Sequence, residues 1–370
     1  MSNSRVVPKS QIEAMQTVPP YRVTDPRQVL KVSAEDPIGS SIFKASLNII
    51  HFCDKPADDD DDSGWHVAGW IKESLGRALK DEPLLSGRLR RGEDGHGDLE
   101  IVSNDSGVRL FEAKIDIKMK DFLALEDVKK AESQLVYWKD IDELNPQFSP
   151  LFYVQVTNFQ CRGYSIGISC SILFADVLIT DNFLEKWATI HRDIVSRNKE
   201  AKLPIFYIPN LKAASVNLNS LFASTIRERV SQTVIYKIGT TSEMVDLKEN
   251  VALLCLEEAE KKLGKGKTSS EFVLLVKESP NVIKARNWKK SEVGKSHLEN
   301  DEVKSSYLKG YMGMDEVSFR EGSKPAMVSY WIGSENGSVQ AIAIPSYDKL
   351  GDPSHLNVII TIPYENEIIY

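Results

Sequence analysis

The 370-residue sequence predicts an α/β protein built as two lobes. Segments dense in β-branched residues alternate with segments of helical periodicity in both halves of the chain. A polar stretch, Arg197 to Lys202, runs into the proline-punctuated Leu203–Asn210, which reads as a connector. The length also exceeds what one ordinary core fills. The expected division is 1–205, a connector at 206–213, and 214–370.

Residues 1–40 carry Pro8, Pro19, Pro20, Pro26 and Pro37, and read as extended wrapping chain with few regular elements. Residues 42–53 read as a strand. Asp58–Asp62 places five like charges in a row, which reads as a solvated loop; calcium loops set glycine turns among their ligands, and this run has none. Val67, Trp70, Ile71, Ser74, Leu75, Ala78 and Leu79 share one face of a helix. Glu100–Val102 and Val108–Phe111 read as a strand pair around the turn Ser103–Gly107. Residues 151–158 and 164–172 form an expected hairpin turning at Gln160–Gly163. Phe183, Leu184, Trp187, Ile190, His191 and Ile194 mark a second amphipathic helix, with His191 as a core or boundary histidine. The second half offers helices near 217–231 and 247–263, and strands at 233–238, 272–277, 326–332, 339–344 and 357–363.

With 42% hydrophobic and 27% charged residues, the chain has a globular profile. Its net charge of −7 repels phosphate backbones and anionic membrane surfaces, which argues against nucleic-acid partners. Cys53, Cys161, Cys170 and Cys255 are scattered, and no C-x-x-C or Cys/His cluster exists, so reduced thiols are expected and no metal. No apolar run has the length of a membrane span or a signal segment, and a cytoplasmic monomer is expected. Gly264–Thr268 resembles a phosphate loop only in part. Lys261 stands where the signature needs its first glycine, and a helix pattern precedes the run instead of a strand. Neither a G-x-S-x-G elbow nor an H-E-x-x-H helix occurs, and the six histidines show no ligand spacing.

Ser169–Ala188 carries a more specific signal. It resembles the signature of the plant BAHD (HXXXD-type) acyltransferases, in which a serine-rich strand tip leads to H-x-x-x-D-G and then to a helix carrying Phe and Trp-Ala. Ser169, Ser171, Ala175, Asp176, Phe183, Trp187 and Ala188 match that frame. Glu82–Leu89 is similar to the family's Pro-Leu-(Ala/Ser)-Gly-Arg-Leu segment, and the match is good over residues 1 to 210. The resemblance implies a two-lobed chloramphenicol-acetyltransferase-like fold, mixed sheets flanked by helices with a channel between the lobes. In such enzymes the motif histidine takes a proton from an acceptor hydroxyl or amine, which attacks an acyl-CoA thioester. Here Ile172 holds the histidine position, and isoleucine has no lone pair; Val177 replaces the motif glycine and Ile179 a later serine. Asp176 is retained as a structural brace. Ser169, Cys170 and Ser171 are the channel candidates for handling a proton instead. Ser318–Pro325 resembles the family's second motif, D-F-G-W-G-K-P, with one extra residue. Phe319, Gly322, Lys324 and Pro325 are kept, Ser318 replaces the aspartate, and Glu321 falls at the tryptophan. The half from 214 on reads as a shortened second lobe.

The resemblance therefore implies an acyltransferase homologue. Its ancestral reaction moves an acyl group from acyl-CoA to a hydroxyl or amine of a small metabolite, with activity impaired or altered by loss of the base. No bound cofactor is implied, and a coenzyme A thioester would be the co-substrate. The alternative is a non-catalytic accessory protein with a protein partner, for example in very-long-chain lipid metabolism. A lyase using the old channel ranks last.

Overall fold

The computed structural model describes residues 8–34, 43–54, 64–92, 99–179, 182–197, 223–226, 231–239, 248–262, 271–279, 282–289, 306–307, 316–333, 340–347 and 353–363. Its first elements are β1 (Gln11–Val18), β2 (Val29–Ala34) and β3 (Ser46–Cys53). The expectation of few regular elements in residues 1–40 is thus corrected. Pro19, Pro20 and Pro26 fall between β1 and β2, where a missing N–H costs no ladder bond. Next come α1 (Gly64–Ala78), β4 (Arg88–Arg91), β5 (Leu99–Val102), β6 (Val108–Ile115), α2 (Met119–Leu123) and α3 (Val128–Ala131). The hairpin β7 (Phe152–Phe159) and β8 (Tyr164–Ser171) leads into α4 (Ala175–Ile179) and α5 (Phe183–Arg197). The remainder comprises β9 (Ser231–Gly239), α6 (Lys248–Lys262), β10 (Glu271–Ser279), β11 (Val282–Lys289), β12 (Ser306–Tyr307), β13 (Met327–Gly333), β14 (Gln340–Tyr347) and β15 (Pro353–Pro363). Of the helix expected near 217–231, residues 223–226 have no regular structure and 231 already belongs to β9; the others lie outside the described residues. Asp58–Asp62, Gly264–Thr268 and the 206–213 connector lie outside them as well.

These strands make two mixed sheets. One runs β1-β6-β7-β8-β3-β13, the other β12-β9-β15-β14-β10-β11-β2-β5-β4. Strands are exchanged across the connector in both directions: β13 closes the first sheet antiparallel to β3, while β2 joins the second by pairing parallel with β11. The expected pairing of β5 with β6 is corrected. β5 lies between β2 and β4, β6 lies between β1 and β7, and the chain changes sheets over Ser103–Gly107. The backbone at Gly107 has φ +80°, and a Cβ there would stand 2.7 Å from Thr17 Cγ2 and 2.9 Å from Val18 O. Only glycine fits such a turn. The buried Arg88 fastens it, donating to the carbonyls of Gly87 (2.7 Å), Gly107 (3.0 Å) and Ser106 (3.3 Å).

Every residue of β3 and β8 is buried, because both faces of the first sheet are covered at its centre. On one face α1 packs on α5, and Ile71, Leu75, Phe183 and Trp187 join Leu47, Ile49, Ile166 and Ile168 in the main core. On the other, Phe122 and Leu135 pack with Ile50, Phe52 and Trp331. In the second sheet α6 lays Ala252, Cys255, Leu256 and Ala259 against Leu274, Ala341, Val358 and Ile360. None of the four cysteines forms a disulfide; Cys53, Cys170 and Cys255 are buried and Cys161 is exposed. Among the described residues, no helix is long and apolar enough to cross a membrane.

Candidate functional site at the end of strand β8

The motif begins where β8 stops. Ser171 N donates to Leu151 O at 2.8 Å and Ile172 N to Ala45 O at 3.2 Å, which pins the strand tip to its neighbours. Ser171 Oγ then accepts from Leu173 N at 3.4 Å, capping the single 3₁₀ turn Ile172–Phe174 that opens into α4. A serine suits this position because it can cap while buried.

Strand alternation sends Cys170 to one face and Ser169 and Ser171 to the other. Ser169 Oγ donates to Asn48 Oδ1 at 2.7 Å, and Asn48 Nδ2 donates to Ser46 Oγ at 3.1 Å and Ser46 O at 3.2 Å. This network is buried, and it commits the Ser169 proton. Cys170 points the other way, into the main core; burial, then the nearby Asp176 charge, raises its thiol well above the usual range. Ser171 serves as the cap. None of the three borders the gap that faces Ile172.

Ile172 is 2% exposed. With Leu173, Ala175 and Asp176 it faces Leu275 of β10, Ile283 of β11, and Ile342 and Ile344 of β14. The second sheet thus meets the histidine position with four hydrocarbon side chains, and the space left is about 20 Å³. A cavity of that size holds about one water. Among the described residues, Asp176 is the only ionisable group in its lining, buried in the first turn of α4. Sequence reasoning missed Leu275, Ile283, Ile342 and Ile344 as parts of this site. Their strands are legible, but which strand meets the motif depends on the order of the second sheet.

The second motif lies elsewhere and shares no cavity with the first. Ser318 Oγ has the Arg320 and Ser323 carbonyls within reach of its one proton and accepts from Arg320 N, so the hydroxyl at the aspartate position holds the turn. Gly322 takes φ +69° in solvent. Lys324 is exposed and only 4.0 Å from the equally exposed Glu316, a pair of little energetic weight. Pro325 is half-buried, and Ala326 N donates to Phe52 O at 2.7 Å. Phe319 anchors the loop: its ring meets Trp187 edge-on at 4.8 Å, His51 at 5.7 Å and His191 at 5.8 Å. His191 is a core histidine, its Nδ1 3.1 Å from Ser74 Oγ, to which Trp187 Nε1 also donates at 3.0 Å. His51 is fully buried, and neither ring nitrogen has a hydrogen-bond partner among the described residues. Burial pulls both imidazoles down to about 4. The loop is thereby joined to α5 and β3 through aromatic contacts, and α5 to α1 through the Ser74 hydroxyl.

Two mixed sheets flanked by helices, meeting at a strand-end Ser-x-Ser and a buried aspartate, define an acyltransferase-type fold of the two-lobed chloramphenicol-acetyltransferase kind. Residues 11–273 match the Transferase family, and the chain belongs to that family, the BAHD acyltransferases. A hydroxycinnamoyltransferase of Narcissus pseudonarcissus is 35% identical over 127 residues, which cover 34% of this chain and 28% of the relative. The Arabidopsis thaliana protein ECERIFERUM 26-like is 31% identical over 118 residues, covering 32% and 27%. The matched stretch therefore spans little more than a quarter of these relatives' length. Vinorine synthase, a solved crystal structure, aligns over 96% of this chain and 95% of its own at 16% identity and a TM-score of 0.47.

Proposed function

We propose that this protein is a BAHD homologue in which the ancestral reaction, acyl transfer from acyl-CoA to a hydroxyl or amine of a small metabolite, is strongly impaired. The observation that carries this reading is the apolar closure around Ile172. A general base must stand within hydrogen-bond reach of the acceptor, and its loss costs about 10²–10⁴ in rate. Here the position offers no lone pair, and Leu275, Ile283, Ile342 and Ile344 occupy the space in which an acceptor would approach. The thiol and hydroxyls nearby are no substitutes, since Cys170 is held neutral in the core and Ser169 is bonded to Asn48.

A second reading, a non-catalytic accessory protein acting through a protein partner, is favoured by the same closure. Loss of the motif residues at the His, Gly and Trp positions, together with a filled gap, is what a fold kept for its surface would tolerate. Calorimetric titration of the full chain with coenzyme A separates the two. Micromolar binding supports the impaired transferase, and acyl donors would then be screened. No heat at millimolar coenzyme A would overturn it and leave the accessory reading.

A further inference from the structure

On the face of the first sheet away from α1 and α5 lies an open basin of about 620 Å³. That volume is typical of small-molecule sites. Its apolar lining is Ile12, Ala131, Val136 and Ile226. Two polar side chains in it are almost wholly buried, and each keeps one oxygen that no protein group among the described residues engages. Gln155 is 3% exposed, and its Nε2 donates to Gln134 O and to Thr157 Oγ1, each at 2.9 Å. Those two bonds fix the amide and leave Oε1 as an acceptor with no protein partner and some solvent contact. Tyr137 is 4% exposed and locked by stacking on Phe111 at 3.9 Å; its hydroxyl likewise has no protein partner and is not sealed off. Buried polar groups are ordinarily paired, so a preorganised acceptor and a phenol hydroxyl opening into one basin are exceptions that a ligand or water must answer. Among the described residues, the rim carries Lys9 and Lys130, neither in an ion pair, and one carboxylate, Asp127.

We propose that this basin is a binding site for a small amphipathic carboxylic acid bearing a hydroxyl donor. The donor meets Gln155 Oε1, Tyr137 Oη bonds a second polar atom, the apolar body lies along Val136 and Ile226, and the carboxylate pairs with Lys9 and Lys130. The site is separate from the Ile172 gap, shares no lining residue with it, and does not depend on turnover.

The probe is 4-hydroxyphenylacetate, titrated into the full chain and followed by ligand-observed NMR. Phenylacetate lacks the donor, and tyramine replaces the acid by an amine. The expected order is 4-hydroxyphenylacetate tightest, with phenylacetate and tyramine each several-fold weaker. Tyr137→Phe removes one neutral hydrogen bond and should weaken the probe about fivefold. Lys130→Glu, an exposed change that leaves the fold alone, should weaken it several-fold more at low salt than at high salt. No binding of the probe, equal binding of all three compounds, or equal affinity in both variants would overturn the assignment.

Discussion

Ile172→His restores the family's base to the position that lacks it, and the structure assigns the change a measurable cost. Burying an isoleucine side chain is worth about 1.5–3 kcal/mol, and an imidazole recovers only part of that contact. The imidazole also brings two polar nitrogens into a lining whose only polar side chain among the described residues is Asp176. Leaving one of them unpaired costs a further ~1–3 kcal/mol. Together these give about 3 kcal/mol, a large share of a domain stability of roughly 5–15 kcal/mol. Urea unfolding followed by tryptophan fluorescence reads it directly, since Trp187 and Trp331 are buried on opposite faces of the first sheet. The variant should also remain inactive toward any acyl-CoA and acceptor pair, because the hydrocarbon wall stays in place. Adding Ile342→Ala should open the gap and allow any latent transfer to emerge. A cost below about 1 kcal/mol for Ile172→His, or a gain of activity from that change alone, would refute the closed gap and the reasoning built on it.

Three further outcomes are expected. Phe319→Ala should destabilise by about 3–5 kcal/mol, because it empties a buried ring site facing Trp187, His51 and His191; a loss within surface-mutation scatter would show that the second-motif loop does not anchor there. His51 and His191 have folded pKa values near 4, below the unfolded 6.5, so their neutral forms contribute stability that is complete above pH 6.5 and is lost as pH falls toward 4. The loss is about 3 kcal/mol for each. The buried Glu112, whose carboxyl burial raises, acts in the opposite sense. Urea midpoints measured across that range should slope downward with acid, and His51→Leu should remove about half of the slope; an unchanged slope would contradict its burial. Gly167→Ala would put a Cβ 1.9 Å from Leu135 O, so β8 must shift against the 132–135 turn, and a fully stable, soluble variant would disprove that approach.

Local elements were legible where a local pattern sufficed. The helix faces at 67–79 and 183–194, the hairpin at 151–172 and the burial of His191 follow from periodicity and turn chemistry, and the structure has them. β11 was not expected, because its lysines and arginine dilute the apolar signal; it forms by pairing with β10 on one side and β2 on the other, a long-range event. The strand pair expected at 100–111 failed for a related reason. A five-residue turn suits a hairpin, but the carbonyl grip of Arg88 and the left-handed Gly107 send the chain to another sheet. At the candidate site, the position of Ile172 was visible in the motif, whereas the wall opposite it was not.

The exchange of strands between the sheets also sets an order of events during synthesis. β3 is completed early, but the partner for its outer edge, β13, emerges only near the end of the chain. At roughly 5–20 residues per second, that edge waits on the order of tens of seconds on the ribosome. β2, β4 and β5 wait in the same way for β11. Nascent chains should therefore stay protease-sensitive and chaperone-bound until β13 is released, and a protein cut at residue 206 should recover its fold only when both pieces are made together.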